Sequence, residues 1–212
     1  MKAYKFRAIE NLHFVIDILF NKRLYCCLAE VVKDIREVDV RVGNDKGREI
    51  EIIKYGEEVG KQLKELRVCA LTKSFNNHLL WAHYAGGYTG VAIEVELDDD
   101  DVTEVMYGDE FIFLSRLIDS HSPESAARQA LARKYKDWSY EGEVRLISKS
   151  EFYPLTHPIS RVIVGSRTHP ALVSALHLMC SHFGISLERI VVADWGIYTM
   201  GAQLVICGRR FV

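Results

Sequence analysis

The sequence predicts an α+β fold, a mixed and mostly antiparallel sheet flanked by helices. Three observations carry that expectation. Runs such as Gly90 to Leu97 alternate Val91, Ile93, Val95 and Leu97 with smaller or charged residues, the two-residue period of a strand. Glu10 to Phe20 instead places Leu12, Val15, Ile16 and Leu19 at helical spacing. The two kinds of segment then follow one another irregularly, without the steady β-α-β order that winds a parallel sheet. The chain has 212 residues, of which 49% are hydrophobic and 26% charged. That is enough to bury a full core, and one domain over residues 1–212 is expected.

In chain order, Tyr4 to Arg7 reads as a short strand leading into the Glu10 to Phe20 helix. Leu24 to Cys27 forms a second candidate strand. Glu30 to Leu66 is charge-rich, with apolar residues at mixed spacing and a turn signal at Gly43-Asn44-Asp45-Lys46-Gly47, and gives no clear period. Arg67 to Leu71 is a strand, Asn77 to Tyr84 a short helix and Gly90 to Leu97 a strand with one wet or cleft-lining face. The four aspartates Asp98 to Asp101 lack the spaced oxygen ligands and glycine of a calcium loop and read as a solvated turn. Ser122 to Tyr135 reads as a helix, with Ser122 as N-cap, Pro123 at the first helical position and Glu124 complementing the dipole. Val144 to Ser148 and Arg161 to Gly165 are strands, and His169 to Phe183 is a helix with Pro170 at its start and Gly184 at its stop. Arg189 to Ala193 and Gln203 to Cys207 complete the sheet.

Charge and cysteine usage narrow the function classes. Twenty-seven basic against 29 acidic residues leave a net charge of -2, which supplies no overall field for nucleic acid or an anionic membrane. The five cysteines, Cys26, Cys27, Cys69, Cys180 and Cys207, contain no C-x-x-C pair and suggest buried, reduced thiols. With no apolar run of membrane-spanning length and no leader-like apolar stretch after Met1, the expected location is cytoplasmic, without a membrane partner. His157, His169, His177 and His182 have no acidic partner at metal-ligand spacing, so no metal is expected. Recognisable phosphate loops, nucleophile elbows and dinucleotide fingerprints are missing too.

Two segments concentrate chemistry. Trp81-Ala82-His83-Tyr84-Ala85-Gly86-Gly87 gathers aromatic faces, an imidazole and two glycines. Such a run suits a stacked planar ligand, or else a glycine-capped helix whose Trp81 and Tyr84 plug the core. Glu141-Gly142-Glu143-Val144-Arg145 follows Trp138 and Tyr140. In a strand, Glu141, Glu143 and Arg145 would share one face, as an acid-base cluster or as an ion-paired edge.

These residues together resemble the bacterial domain-of-unknown-function family 2971. The resemblance rests on Tyr4-Lys5-Phe6-Arg7, Arg67-Val68-Cys69, Leu80-Trp81-Ala82-His83-Tyr84 with Gly90-Val91-Ala92-Ile93, and Trp138-Ser139-Tyr140-Glu141-Gly142-Glu143-Val144-Arg145, and reaches about Gly165. The asparagine-aspartate-proline segment that family carries after its second strand is missing from Leu28 to Ile35. The order is also similar, more distantly, to the ADP-ribosyltransferase plan, whose sheet is split. That resemblance implies NAD as substrate and a macromolecular acceptor. Glu143 would be the catalytic glutamate, Glu141 would orient the acceptor, and Tyr84 would stack on nicotinamide. Arg7 would hold phosphate or ribose, with Trp81, His83 and Arg145 around the nucleotide. A toxin or phage-defence effector is the role it implies. Two other readings stay open: a nucleic-acid-processing effector using Glu141, Glu143 and His83, and a non-catalytic module that binds a nucleotide or partner protein while its glutamates only pair with Arg145.

Overall fold

The computed structural model describes residues 1–31, 40–41, 47–110, 112–202, 205–206 and 209–210. In chain order the elements are β1 (Lys2–Arg7), α1 (Leu12–Asn21), β2 (Arg23–Tyr25), β3 (Cys27–Leu28), β4 (Val40–Arg41), α2 (Glu49–Glu65), β5 (Arg67–Thr72), α3 (His78–Tyr84) and β6 (Val91–Glu96). They continue as β7 (Val102–Glu104), β8 (Met106–Tyr107), β9 (Ile112–Phe113), α4 (Leu114–Leu117), α5 (Pro123–Leu131), β10 (Arg133–Lys134), β11 (Glu143–Ser148) and β12 (Phe152–Pro154). The last described ones are β13 (Arg161–Val164), α6 (Pro170–Phe183), β14 (Ser186–Ala193), β15 (Gly196–Gly201), β16 (Val205–Ile206) and β17 (Arg209–Arg210). The class is α+β, with a mixed and mostly antiparallel main sheet. The chain divides into two compact units, one from 1–24, 71–99 and 154–212, the other from 25–70 and 100–153.

In the first unit, β1 and β6 pair antiparallel from Lys2–Glu96 to Arg7–Val91, and β6 pairs antiparallel with β13. Strands β13 and β14 run parallel, joined through α6, and β14 folds back on β15 as a hairpin. A parallel pair needs such a long crossover, whereas the hairpin needs only the Asp194-Trp195 turn. Tyr4, Phe6, Leu80, Trp81, Ala92, Ile163, Ile190 and Ile197 close the core of this unit. His169 caps α6, its Nδ1 accepting from the Ala171 amide at 3.2 Å, and Gly184 ends the helix in the left-handed region.

The second unit packs α2 and α5 on a core of Ile52, Val59, Leu66, Val68, Leu114, Ala126, Ala127 and Leu131. Burying a side chain such as Leu131 contributes about 1.5–3 kcal/mol, which is what holds the amphipathic faces of these helices down. Ser122 caps α5 by accepting from the Ser125 amide at 3.2 Å. The helix stops at Leu131, short of the expected Tyr135, because the chain then pairs in parallel with β8 through Arg133–Met106 and Lys134–Tyr107. Strand β11 pairs antiparallel with β7.

Three expectations need correction. The unreadable stretch from Glu30 to Leu66 contains a 17-residue helix, α2, whose two glycines and alternating charges hid its period. The Gly90 to Leu97 strand has no wet face up to Val95, since Glu94 is only 2% exposed. The hairpin strand β15 has no counterpart in the sequence reading. The turn at 43–46 and most of the expected Gln203 to Cys207 strand lie outside the described residues.

Candidate functional site

The α3 segment belongs to the first unit. Asn77 caps α3, its side chain accepting from the Leu79 amide at 2.9 Å. One side of the helix is then committed to the core. Trp81 is fully buried, sits edge-on to Phe6 at 5.0 Å and donates its indole N–H to the Phe75 carbonyl at 2.6 Å. It therefore presents no face to a ligand, and its place around a nucleotide is corrected to a core plug. Tyr84, 40% exposed, and His83 lie on the open side with their rings 6.4 Å apart. The loop that follows turns back tightly. Tyr88 adopts a left-handed backbone with φ of 72°, lies parallel to Trp81 and shares a 2.9 Å hydrogen bond between its hydroxyl and His78 Nδ1. Glycine is required beneath it, because a Cβ on Gly165 would stand 2.0 Å from the Tyr88 carbonyl oxygen. Arg7, at the end of β1, holds its guanidinium 4.8 Å from the centre of the Phe14 ring.

The same unit holds a charged cluster that the sequence reading missed. Glu94 accepts from the Tyr4 hydroxyl at 2.7 Å, the Ser160 hydroxyl at 2.7 Å, Arg161 Nε at 2.7 Å and Lys2 Nζ at 3.0 Å. Arg161 also reaches Glu188 at 2.8 Å and covers the Phe75 ring at 5.1 Å. Burial works to raise the Glu94 carboxyl, but the bonds from Ser160, Tyr4, Lys2 and Arg161 win and hold it at about 2. The only sequence signal was a glutamate flanked by Ile93 and Val95 in the middle of the strand.

The glutamate segment belongs to the second unit. Glu141 is not on a strand. It ends a 3-10 turn, Lys136–Glu141, and Gly142 reverses the chain at φ of 50° before β11 opens with Glu143. The expected shared strand face is thus limited to Glu143 and Arg145, and Glu141 reaches the same charges from the turn. Arg145, fully buried, grips both oxygens of Glu143 at 2.6 and 3.2 Å and donates to the Leu131 carbonyl at 2.7 Å. Lys134 Nζ donates to Glu141 at 2.6 Å and to Glu143 at 3.1 Å, and lies 5.0 Å from the Trp138 ring centre. The Glu143 amide donates to the Tyr107 hydroxyl at 2.7 Å. Burial opposes the charge on Glu143, yet the Arg145 bonds and charge, and then Lys134, hold its carboxyl below the usual carboxylate range. Two anions meet two cations in a space that is at most 5% exposed. Lys134 and Tyr107 escaped the sequence reading, although a lysine four residues before Trp138 was a visible hint.

The class of molecule this defines is an α+β chain with a charge-balanced cluster around a buried glutamate in each unit and an aromatic-imidazole surface on α3. Arg7, Trp81, His83 and Tyr84 lie in the first unit, whereas Glu141, Glu143 and Arg145 lie in the second. Among the described residues, no group of three or more histidine, cysteine, aspartate or glutamate side chains is placed to hold a metal ion. No described helix is long and apolar enough to cross a membrane. A shallow, mostly apolar depression along α2, lined by Ile53, Glu57, Val59, Leu63 and Leu114 among others, offers the single carboxylate of Glu57 rather than the convergent polar groups of a small-molecule site. No family model, no curated protein and no solved structure matches the chain.

Proposed function

We propose that the chain is a non-catalytic binding module, in which Glu141, Glu143 and Arg145 hold the second unit together and α3 meets the ligand. One observation carries this reading: both oxygens of Glu143 are engaged by Arg145, with Lys134 on one of them as well, at 5% exposure. A glutamate that stabilises an oxocarbenium-like ribose must offer an oxygen to the sugar. Freeing one here would break a buried ion pair, at about 3–5 kcal/mol. The residues therefore do not fit NAD at Glu143. The groups that do face outward, His83 and Tyr84, offer a ring face and hydrogen-bonding tips, the chemistry that takes a planar heteroaromatic group such as a nucleotide base.

The test pairs turnover with stability. Purified chain incubated with NAD is expected to release no nicotinamide, while Glu143→Gln lowers the thermal midpoint by several degrees. Nicotinamide release that disappears in a Glu143→Gln variant of unchanged midpoint would restore the transferase reading. For the binding arm, adenine nucleotide is expected to raise the midpoint, because a ligand that binds only the folded chain stabilises it. Tyr84→Ala is expected to weaken that binding about tenfold, the order of one lost stacking contact. A midpoint indifferent to nucleotide would sink the ligand class.

A further inference from the structure

We propose that Cys26 and Cys69 form a cross-strand thiol pair that a peroxide converts reversibly into a disulfide. The pairing register places them. Strands β3 and β5 are antiparallel, with Cys27 opposite Val68 and Leu28 opposite Arg67. Two rungs further, the Ala29 amide donates to the Leu66 carbonyl at 3.0 Å, which keeps the same register. Carried one residue past the end of β3 in the other direction, the same register sets Cys26 opposite Cys69.

The type of rung follows as well. Hydrogen-bonded and non-hydrogen-bonded pairs alternate along an antiparallel ladder. Ala29–Leu66 is bonded, so Leu28–Arg67 is not, Cys27–Val68 is, and Cys26–Cys69 is not. The Cys26 amide agrees with this count, since it points away from β5 and donates to the Glu151 carbonyl at 2.8 Å. At a non-hydrogen-bonded rung the two Cα atoms lie about 4.5 Å apart with their side chains on one face. That spacing falls within the roughly 4.4–6.8 Å that a disulfide spans. Cys26 and Cys69 are thiols, 0% and 1% exposed, whereas Cys27 is half-buried and points to the opposite face of the pair.

The chemistry balances with hydrogen peroxide as oxidant. One thiol attacks the peroxide O–O bond, giving a sulfenic acid and one water. The second thiol attacks that sulfur, the S–S bond forms, and the second water leaves with the remaining proton. The cysteines lose two electrons and the peroxide gains them. The bond closes the chain from residue 26 to residue 69, which includes α2, and ties β3 to β5. Constraining that loop in the unfolded chain stabilises the second unit. This inference does not depend on the ligand class proposed for α3.

The full chain treated with hydrogen peroxide, alkylated under denaturing conditions and digested is the decisive material. The expected result is loss of two hydrogens in mass, one cross-linked peptide joining Cys26 to Cys69, recovery of both thiols with dithiothreitol and a raised thermal midpoint in the oxidised form. Cys27 and Cys180 are expected to stay alkylatable. Cys180 serves as an internal control, because it is as buried as the pair but lies in α6, where no strand register sets a second cysteine opposite it. Cys26→Ala and Cys69→Ala are each expected to abolish the cross-link, and the mapping on the unaltered chain stands even where a variant fails to fold. Persistence of both thiols, their separate oxidation to sulfinic acid, or a link through Cys27, Cys180 or Cys207 would overturn the proposal.

Discussion

At the scale of single residues, the chain buries Glu94, Lys134, Glu141, Glu143 and Arg145 and sets each against opposite charge. Glu94 gives the clearest pH consequence. Its carboxyl sits at about 2 in the folded chain, against an ordinary value of 4.5. A depressed carboxyl contributes stability that is fully present above the unfolded value and is lost as pH falls through the folded one. Stability is therefore expected to drop between about pH 4.5 and pH 2, by on the order of 3 kcal/mol from this one group. Denaturant midpoints across that range check it, and Glu94→Gln is expected to flatten the dependence while lowering the plateau at neutral pH. An acid limb unchanged in Glu94→Gln would assign the loss elsewhere. Sequence alone could flag Glu143 and Arg145, because a charged run beside two aromatic residues stands out. It could not flag Glu94 or Cys26–Cys69, whose meaning comes from strands brought together by register.

At the scale of elements, local chemistry was legible wherever the stop and start signals were strong. The Ser122 cap with Pro123, the His169–Gly184 frame of α6 and the alternation of β6 each stood in the sequence with nearly their observed limits. Elements set by tertiary pairing were not legible: α5 yields to β10 because β8 offers a partner, and Glu141 leaves the strand because Gly142 turns the chain. The close approach of the loop after α3 to the end of β13 gives an element-scale test. Gly165→Ala would drive a Cβ to 2.0 Å from the Tyr88 carbonyl oxygen, where only backbone movement relieves the clash. Gly60→Ala adds a Cβ that meets nothing within 4 Å in the middle of α2. The first is expected to destabilise by more than about 3 kcal/mol, as severe overpacking does. The second is expected to stabilise by roughly 0.5–1 kcal/mol through helix propensity and a less flexible unfolded chain. Thermal midpoints of the two variants, moving in opposite directions, check the pair.

At the scale of the whole molecule, neither unit is a continuous stretch of chain: the first is assembled from three segments and the second from two. Each unit has its own apolar core and its own charge cluster around a buried glutamate, with no residue common to the partners of Glu94 and those of Glu143. Substitutions without shared partners add in free energy to within about 0.5 kcal/mol, whereas members of one network couple by about 0.5–3 kcal/mol. Glu94→Gln combined with Glu143→Gln is therefore expected to cost the sum of the two single changes. Lys134→Met combined with Glu143→Gln is expected to cost less than its sum, because the second change removes a charge that has already lost one of its two cationic partners. Chemical denaturation of the three single and two double variants against the parent measures both quantities. Additivity in the second pair would mean that Lys134 and Glu143 do not support one another, and the structural role of Glu143 would rest on Arg145 alone.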